Sequence, residues 1–172
     1  GMSQSAKFLG DVLESKGKYA DALEKYQASL KIAKENNDKE TQGIVLNAIG
    51  IIYDYTGKID SASVKYFEAL QIAEEVGNLI LEGKACSNIS YLFRLDLNQE
   101  YDKALVYSFR GLACYEKIGN TKGVAHSYQD IAYTYRKMNQ LDTAITYYEK
   151  AISLRKKIGD KRGLSFSYNS MG

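Results

Sequence analysis

Two residue pairs recur 42 positions apart: Tyr91 with Arg94, and Tyr133 with Arg136. A guanidinium three residues after a phenol lies about one helical turn further along the same face. There its fork of N–H donors suits a carboxylate, and the ring offers rigid apolar contact with a polar tip. That is recognition chemistry. Covalent chemistry has less to work with. The single histidine, His126, has no metal partner by spacing and is read as a surface residue. Cys86 and Cys114 also lack metal-ligand spacing and sit in apolar-periodic segments, so both are read as small core residues. Phosphate-loop, metalloprotease and serine-elbow motifs are absent. Acidic side chains mostly neighbour basic ones, as Glu24 does Lys25 and Glu149 does Lys150, the pattern of a solvated helix face. Nothing points to a paired-carboxylate site. No catalytic residue, cofactor or metal site is assigned, and the chain is read as a binder rather than an enzyme.

Residues three apart can share a face only if helices carry them, and the composition favours helices. The 172 residues are 45% hydrophobic and 26% charged, as in a folded protein rather than a disordered one. Proline and tryptophan are absent and tyrosine reaches 15, which suits long uninterrupted helices studded with amphipathic rings. The net charge of +2 gives no general attraction to nucleic acid or to an anionic membrane. No apolar run approaches the ~18 residues of a membrane span, and nothing resembles a signal peptide, so a cytoplasmic location is expected. Gly1 before Met2 reads as a remnant of tag removal.

The helices repeat. Gly10, Gly50, Ser90, Ala132 and Gly172 are spaced by 40, 40, 42 and 40 residues, and each follows a large apolar residue. Three positions later stand Leu13, Tyr53, Phe93 and Tyr135. A second column, Ala22, Ala62, Ala104 and Ala144, is followed seven residues on by Ser29, Ala69, Gly111 and Ala151. Helices approach to about 8–10 Å only where facing side chains are small, so these columns mark crossings. Tyr26, Tyr66 and Tyr148 stand four residues after their alanines, and Ser108 takes that place in the third unit, which is expected to be looser. That unit's two extra residues are placed near Leu97 and Asn98, in a turn, where insertion is cheap. Asn37, Gly77, Gly119 and Gly159 are residue types that tolerate the left-handed conformation ending a helix. Gly17, Gly57 and Asn139 punctuate the turns within repeats. The spacing predicts first helices near 3–16, 39–56, 80–96, 121–138 and 161–171, with partners near 19–36, 59–76, 100–118 and 141–158.

These columns resemble the tetratricopeptide repeat family, whose signature is an apolar-glycine pair, an aromatic and alanines at fixed offsets across a helical hairpin. The resemblance runs over nearly the whole chain, in about four and a half units: 3–38, 39–78, 79–120, 121–160 and a half repeat over 161–172. The family's tryptophan is replaced by Ala6, Leu46, Cys86 and Tyr128, and its helix-ending proline by Lys34, Glu74, Glu116 and Lys156. Without that stop the second helix runs longer, in keeping with the long period. The resemblance implies an all-α, right-handed solenoid of stacked antiparallel hairpins, whose first helices line a concave groove, in a single array cut from a longer signalling or regulatory protein.

Carried over, that geometry lines the groove with Asn47, Ser87, Asn88, Tyr91, Arg94, Gln129, Tyr133 and Arg136. The expected ligand is an extended or helical segment of a protein or peptide partner, met by amides, hydroxyls and tyrosine rings, with Arg94 and Arg136 toward a carboxylate. The competing reading makes the same residues the solvated face of amphipathic helices. The carboxylate clamp of chaperone-binding repeats is only fragmentary: Lys7 and Lys84 fit its lysine columns, but Asp11, Ala48 and Asn88 do not fit the rest, so chaperone tails are not expected. The alternative function is self-assembly, a homodimer through the terminal helix that carries Phe166, Tyr168 and Met171.

Overall fold

The computed structural model describes residues 1–95 and 99–171, and among these the chain is nine α-helices with no strand. They are α1 (Met2–Ser15), α2 (Tyr19–Glu35), α3 (Lys39–Tyr55), α4 (Ile59–Val76), α5 (Leu79–Leu95), α6 (Tyr101–Lys117), α7 (Thr121–Lys137), α8 (Leu141–Lys157) and α9 (Lys161–Met171). Each boundary falls within a residue of the periodicity's expectation, because the punctuation is local chemistry. Gly17, Gly57, Gly77, Gly119 and Gly159 all take positive φ, as do Asn37 and Asn139. Gln99 is a third non-glycine residue at positive φ (52°). The insertion assigned to Leu97 and Asn98 lies outside the described residues.

A column that the periodicity left unread starts the odd-numbered helices after α1. Asp38, Asn78, Asn120 and Asp160 stand at the repeat spacing. Each side chain accepts the backbone N–H three residues on, at 3.0, 2.9, 3.0 and 2.9 Å from Thr41, Leu81, Gly123 and Gly163. This is N-capping of α3, α5, α7 and α9, which satisfies a backbone donor that the helix itself leaves open. The even helices start at Lys18, Lys58, Glu100 and Gln140 without a side-chain cap bond.

Two compact units divide the chain at Ala85, within α5. In the first, α1 packs on α2 and α3 on α4 as hairpins, with α2 against α3. The small columns have a specific counterpart there: the tyrosine of the second helix lies across them. A Cβ on Gly10 would stand 2.5 Å from Tyr26 Cε1, and one on Gly50 would stand 2.5 Å from Tyr66 Cε1. Ala22, Tyr26, Val45, Ile49 and Ile52 make one buried cluster around the first of these crossings. Ser3 and Ser29 close the far end by exchanging hydroxyl-to-carbonyl hydrogen bonds at 3.0 and 2.8 Å. Ala62 has no exposed surface at all. Ala62→Leu is therefore expected to cost about 1–3 kcal/mol by overpacking, read as a lower denaturation midpoint; an unchanged midpoint would place the crossing elsewhere.

In the second unit α7 packs on both α6 and α8, and α8 on α9. Ala132, Ala144 and Tyr148 repeat the ring-on-small-residue crossing. In the third repeat Ser108 replaces the ring and Ser90 the small residue, and their hydroxyls bond to each other at 2.7 Å. A polar contact thus stands where the other repeats place an aromatic one, and Phe93 stacks on Tyr107 beside it with centroids 5.7 Å apart. Cys86 and Cys114 are both buried and unbridged.

Candidate ligand-binding surface

The missing ring at Ser108 decides what becomes of Arg94. Its Nη1 donates to Ser90 Oγ at 3.2 Å and to the Asp130 carbonyl at 3.4 Å, while Nη2 pairs with Asp130 Oδ1 at 3.0 Å. The guanidinium is only 7% exposed, so α5 and α7 are tied by a buried ion pair. Asp130 takes a second partner on its other oxygen, His126 Nδ1 at 3.1 Å, one turn earlier on the same helix. Burial pushes the Asp130 carboxyl up, but His126 and Arg94 outweigh it and hold the group below the usual carboxylate value. The same carboxylate pulls the His126 imidazole above its usual value, first by its charge and then by the hydrogen bond, against burial and the charges of Arg155 and Arg94. His126 keeps a 61% exposed side chain, so it belongs to the surface as well as to the network.

Arg94 also fixes two aromatic rings. Its guanidinium carbon lies 5.8 Å from the Tyr91 centroid and 5.6 Å from that of Tyr133, within cation–π range. Tyr91 is 41% exposed. Arg136 also approaches the Tyr133 ring, to 5.1 Å, and Lys137 to 5.6 Å, and both of these residues are exposed. The result is a patch of two phenol rings that share one buried cation, with two exposed cations near the Tyr133 ring.

Four of the eight sequence-assigned groove residues thus share one cluster: Tyr91, Arg94, Tyr133 and Arg136. Ser87 and Asn88 lie half-buried on the same α5, Ser87 within hydrogen-bonding reach of the Tyr115 phenol. Gln129 is buried in a different network, where Arg155 of α8 donates through Nη1 to Gln129 Oε1 and, at 2.8 Å, to the Gly163 carbonyl, and lies against Ser167 Oγ. Arg155 Nε stands 3.9 Å from Asp160. Asn47 is buried on α3, in the first unit. Asp130 was legible as the repeat counterpart of Asn88, 42 residues on, in the column that flanks the groove. Arg155 is the organising residue that periodicity did not single out, and its only sequence signal is a charge that looks like any surface charge.

Tyr148, also in this unit, is 1% exposed, and its hydroxyl has no hydrogen-bond partner among the described residues. Burial pushes its phenol above the usual value, Arg136 and Arg94 oppose this with their charges, and Tyr133 and Asp130 add to it. Among the described residues no three histidine, cysteine or carboxylate side chains converge as metal ligands would, and no helix is long and apolar enough to cross a membrane.

Sequence profiles of known families match the chain twice, both for the tetratricopeptide repeat: one over residues 2–75 and one over 125–158. A search of curated proteins finds no match. Solved structures with the same fold include BtubC (BKLC) from P. vanneervenii, at TM-score 0.84 and 20% identity over 98% of this chain and 69% of that one. Aspartyl phosphate phosphatase F from Bacillus subtilis aligns at TM-score 0.88 and 17% identity, over 98% of this chain and 44% of its own. The apo form of RapI aligns at TM-score 0.84 and 17% identity, over 93% and 58%. The chain therefore spans about half the length of the last two.

Proposed function

The chain belongs to the tetratricopeptide repeat family, and from that premise we propose that it is a protein-binding module rather than an enzyme, recognising a peptide segment of its partner on the Tyr91–Arg94–Tyr133–Arg136 surface. The observation that carries this reading is the buried Arg94–Asp130 pair at 3.0 Å, whose guanidinium lies within cation–π range of two phenol rings and so restrains them from within the protein. Rings fixed before binding lose little freedom on binding, and amphipathic tyrosines are efficient contacts for peptides. Arg94 and Gln129 act as positioning residues in this reading, and Tyr91, Tyr133, Arg136, Ser87 and Asn88 provide contact. The likeness to aspartyl phosphate phosphatase F and RapI supports placing the module in a regulatory protein longer than this segment.

Peptides selected on the chain from a random display library are expected to bind saturably, one per chain. Tyr133→Ala should weaken them by about tenfold or more, with helicity unchanged. A second reading, self-association, is favoured by α9, where Phe166 is 62% and Tyr168 50% exposed. If light scattering gave a mass that doubled with concentration, and no peptide were retained, that reading would replace the first.

A further inference from the structure

The first hairpin shows what the repeat's buried tyrosine can do. Tyr26 has no exposed surface, yet its hydroxyl donates to Asp11 Oδ1 at 2.9 Å and to Glu14 Oε2 at 2.6 Å. Asp11 meanwhile keeps a 42% exposed side chain. A phenol at this place sinks its ring into the helix crossing while its oxygen meets carboxylates that solvent also reaches.

Advancing 122 residues turns Tyr26 into Tyr148, Asp11 into Tyr133 and Glu14 into Arg136. Both acceptors are gone, and one has become a cation. The consequence is visible in the hydroxyl of Tyr148, buried and without an acceptor among the described residues, a costly condition for a polar group. Arg136 cannot accept a hydrogen bond, but it stands at the repeat position where Glu14 meets Tyr26 in the first hairpin, and its exposed guanidinium, 5.1 Å from the Tyr133 ring centroid, is a second donor group on this hairpin. The other carboxylate nearby, Asp130, already has Arg94 on one oxygen and His126 on the other. Charge on the larger scale agrees. Residues 86–172 carry 13 basic and 8 acidic side chains, a net of +5, whereas residues 1–85 carry 10 and 13, so the second unit attracts an acidic ligand.

We propose that the α7–α8 hairpin holds the side-chain carboxylate of an aspartate or glutamate in the bound peptide, which accepts from the Tyr148 hydroxyl and pairs with Arg136. The ligand thereby supplies to Tyr148 what Asp11 and Glu14 supply to Tyr26. This rests on the peptide-binding reading above and adds the chemical class recognised. A side chain, rather than a chain terminus, is the source because side-chain carboxylates fill the equivalent place in the first hairpin.

The test uses the full chain and peptides selected from a random display library, synthesised with free and with amidated C-termini, and with each Asp or Glu exchanged for Asn or Gln. One acidic residue is expected to be indispensable, its amide binding about tenfold or more weaker, while terminal amidation changes nothing. Tyr148→Phe and Arg136→Gln should each weaken the acidic peptide by a similar factor and leave the affinity of its amide counterpart unaltered. Tyr148→Phe should keep or raise the melting temperature of the free chain, since it removes a hydroxyl with no partner there, so that loss of binding is not loss of fold. Peptides that bind tightly but tolerate every amide exchange would overturn the carboxylate site and leave peptide binding standing. Loss of affinity on amidation alone would overturn the side-chain source. Absence of any selectable peptide would remove both readings together.

Discussion

Asp130→Ala is expected to lower the unfolding free energy by about 3–5 kcal/mol, the range for breaking a buried ion pair from one side. The size comes from what is left behind. The Arg94 side chain is 7% exposed and takes both its charge partner and a backbone acceptor from Asp130, and Arg94 Nε already lacks a partner among the described residues. Without the carboxylate the guanidinium must stay buried and unpaired or swing out, releasing Tyr91 and Tyr133. Chemical denaturation gives the stability change, and peptide affinity should fall in the same variant. A loss below about 1 kcal/mol would mean that the pair behaves as an exposed one.

The same network sets a pH dependence. His126 has a raised value in the folded chain, so its contribution is complete below the ordinary imidazole value of 6.5 and is lost as pH rises through the raised value. Asp130 has a lowered value, so its contribution is present above the ordinary carboxylate value of 3.8 and is lost as pH falls through the lowered one. Both groups are charged between these limits, where stability should peak. Stability of the native chain should decline as pH rises above 6.5, and His126→Gln should flatten that decline. Equal slopes in the two chains would exclude His126 as its origin.

The second large effect is expected at Arg155, which is 5% exposed and joins α8 to α7 and to the start of α9. Arg155→Ala leaves Gln129 Oε1 and Ser167 Oγ buried without their strongest donor, at an expected cost of about 2–4 kcal/mol. The loss should be regional. Amides of α9 should lose protection from hydrogen exchange by a corresponding factor, while those of α3 and α4 keep theirs, because repeat arrays open from their weakest element. Arg155→Lys should recover little, since a point charge cannot serve acceptors in several directions as a planar fork does. Uniform loss of protection over both units would show that the chain unfolds as one cooperative body, and would remove the regional role given to Arg155.

Much of this fold was legible in one sequence because repetition turns weak local signals into columns. A glycine followed by an aromatic means little alone, but Gly10 and Gly50 at one repeat spacing mark helix crossings, and the structure adds that the Tyr26 and Tyr66 rings lie across them. The capping column Asp38, Asn78, Asn120 and Asp160 was equally available at the same spacing. Of the surface cluster, the sequence brought out Tyr91, Arg94, Tyr133 and Arg136 as a set, because a spacing of three and a period of 42 are visible without coordinates.

What the sequence could not rank was the difference between two arginines of one column. Arg94 and Arg136 occupy the same repeat position, yet one is buried against Asp130 and the other is exposed over Tyr133. Tertiary structure decided this through the partner helix: Ser108 leaves room for a guanidinium to reach Ser90 and the interior, and Tyr148 fills the same room with a ring. The position of a helix follows from periodicity along the chain, which a sequence records directly. Which charge is neutralised inside and which is left for a ligand depends on the volume opposite it, contributed by residues far away in the chain, and only packing brings those together.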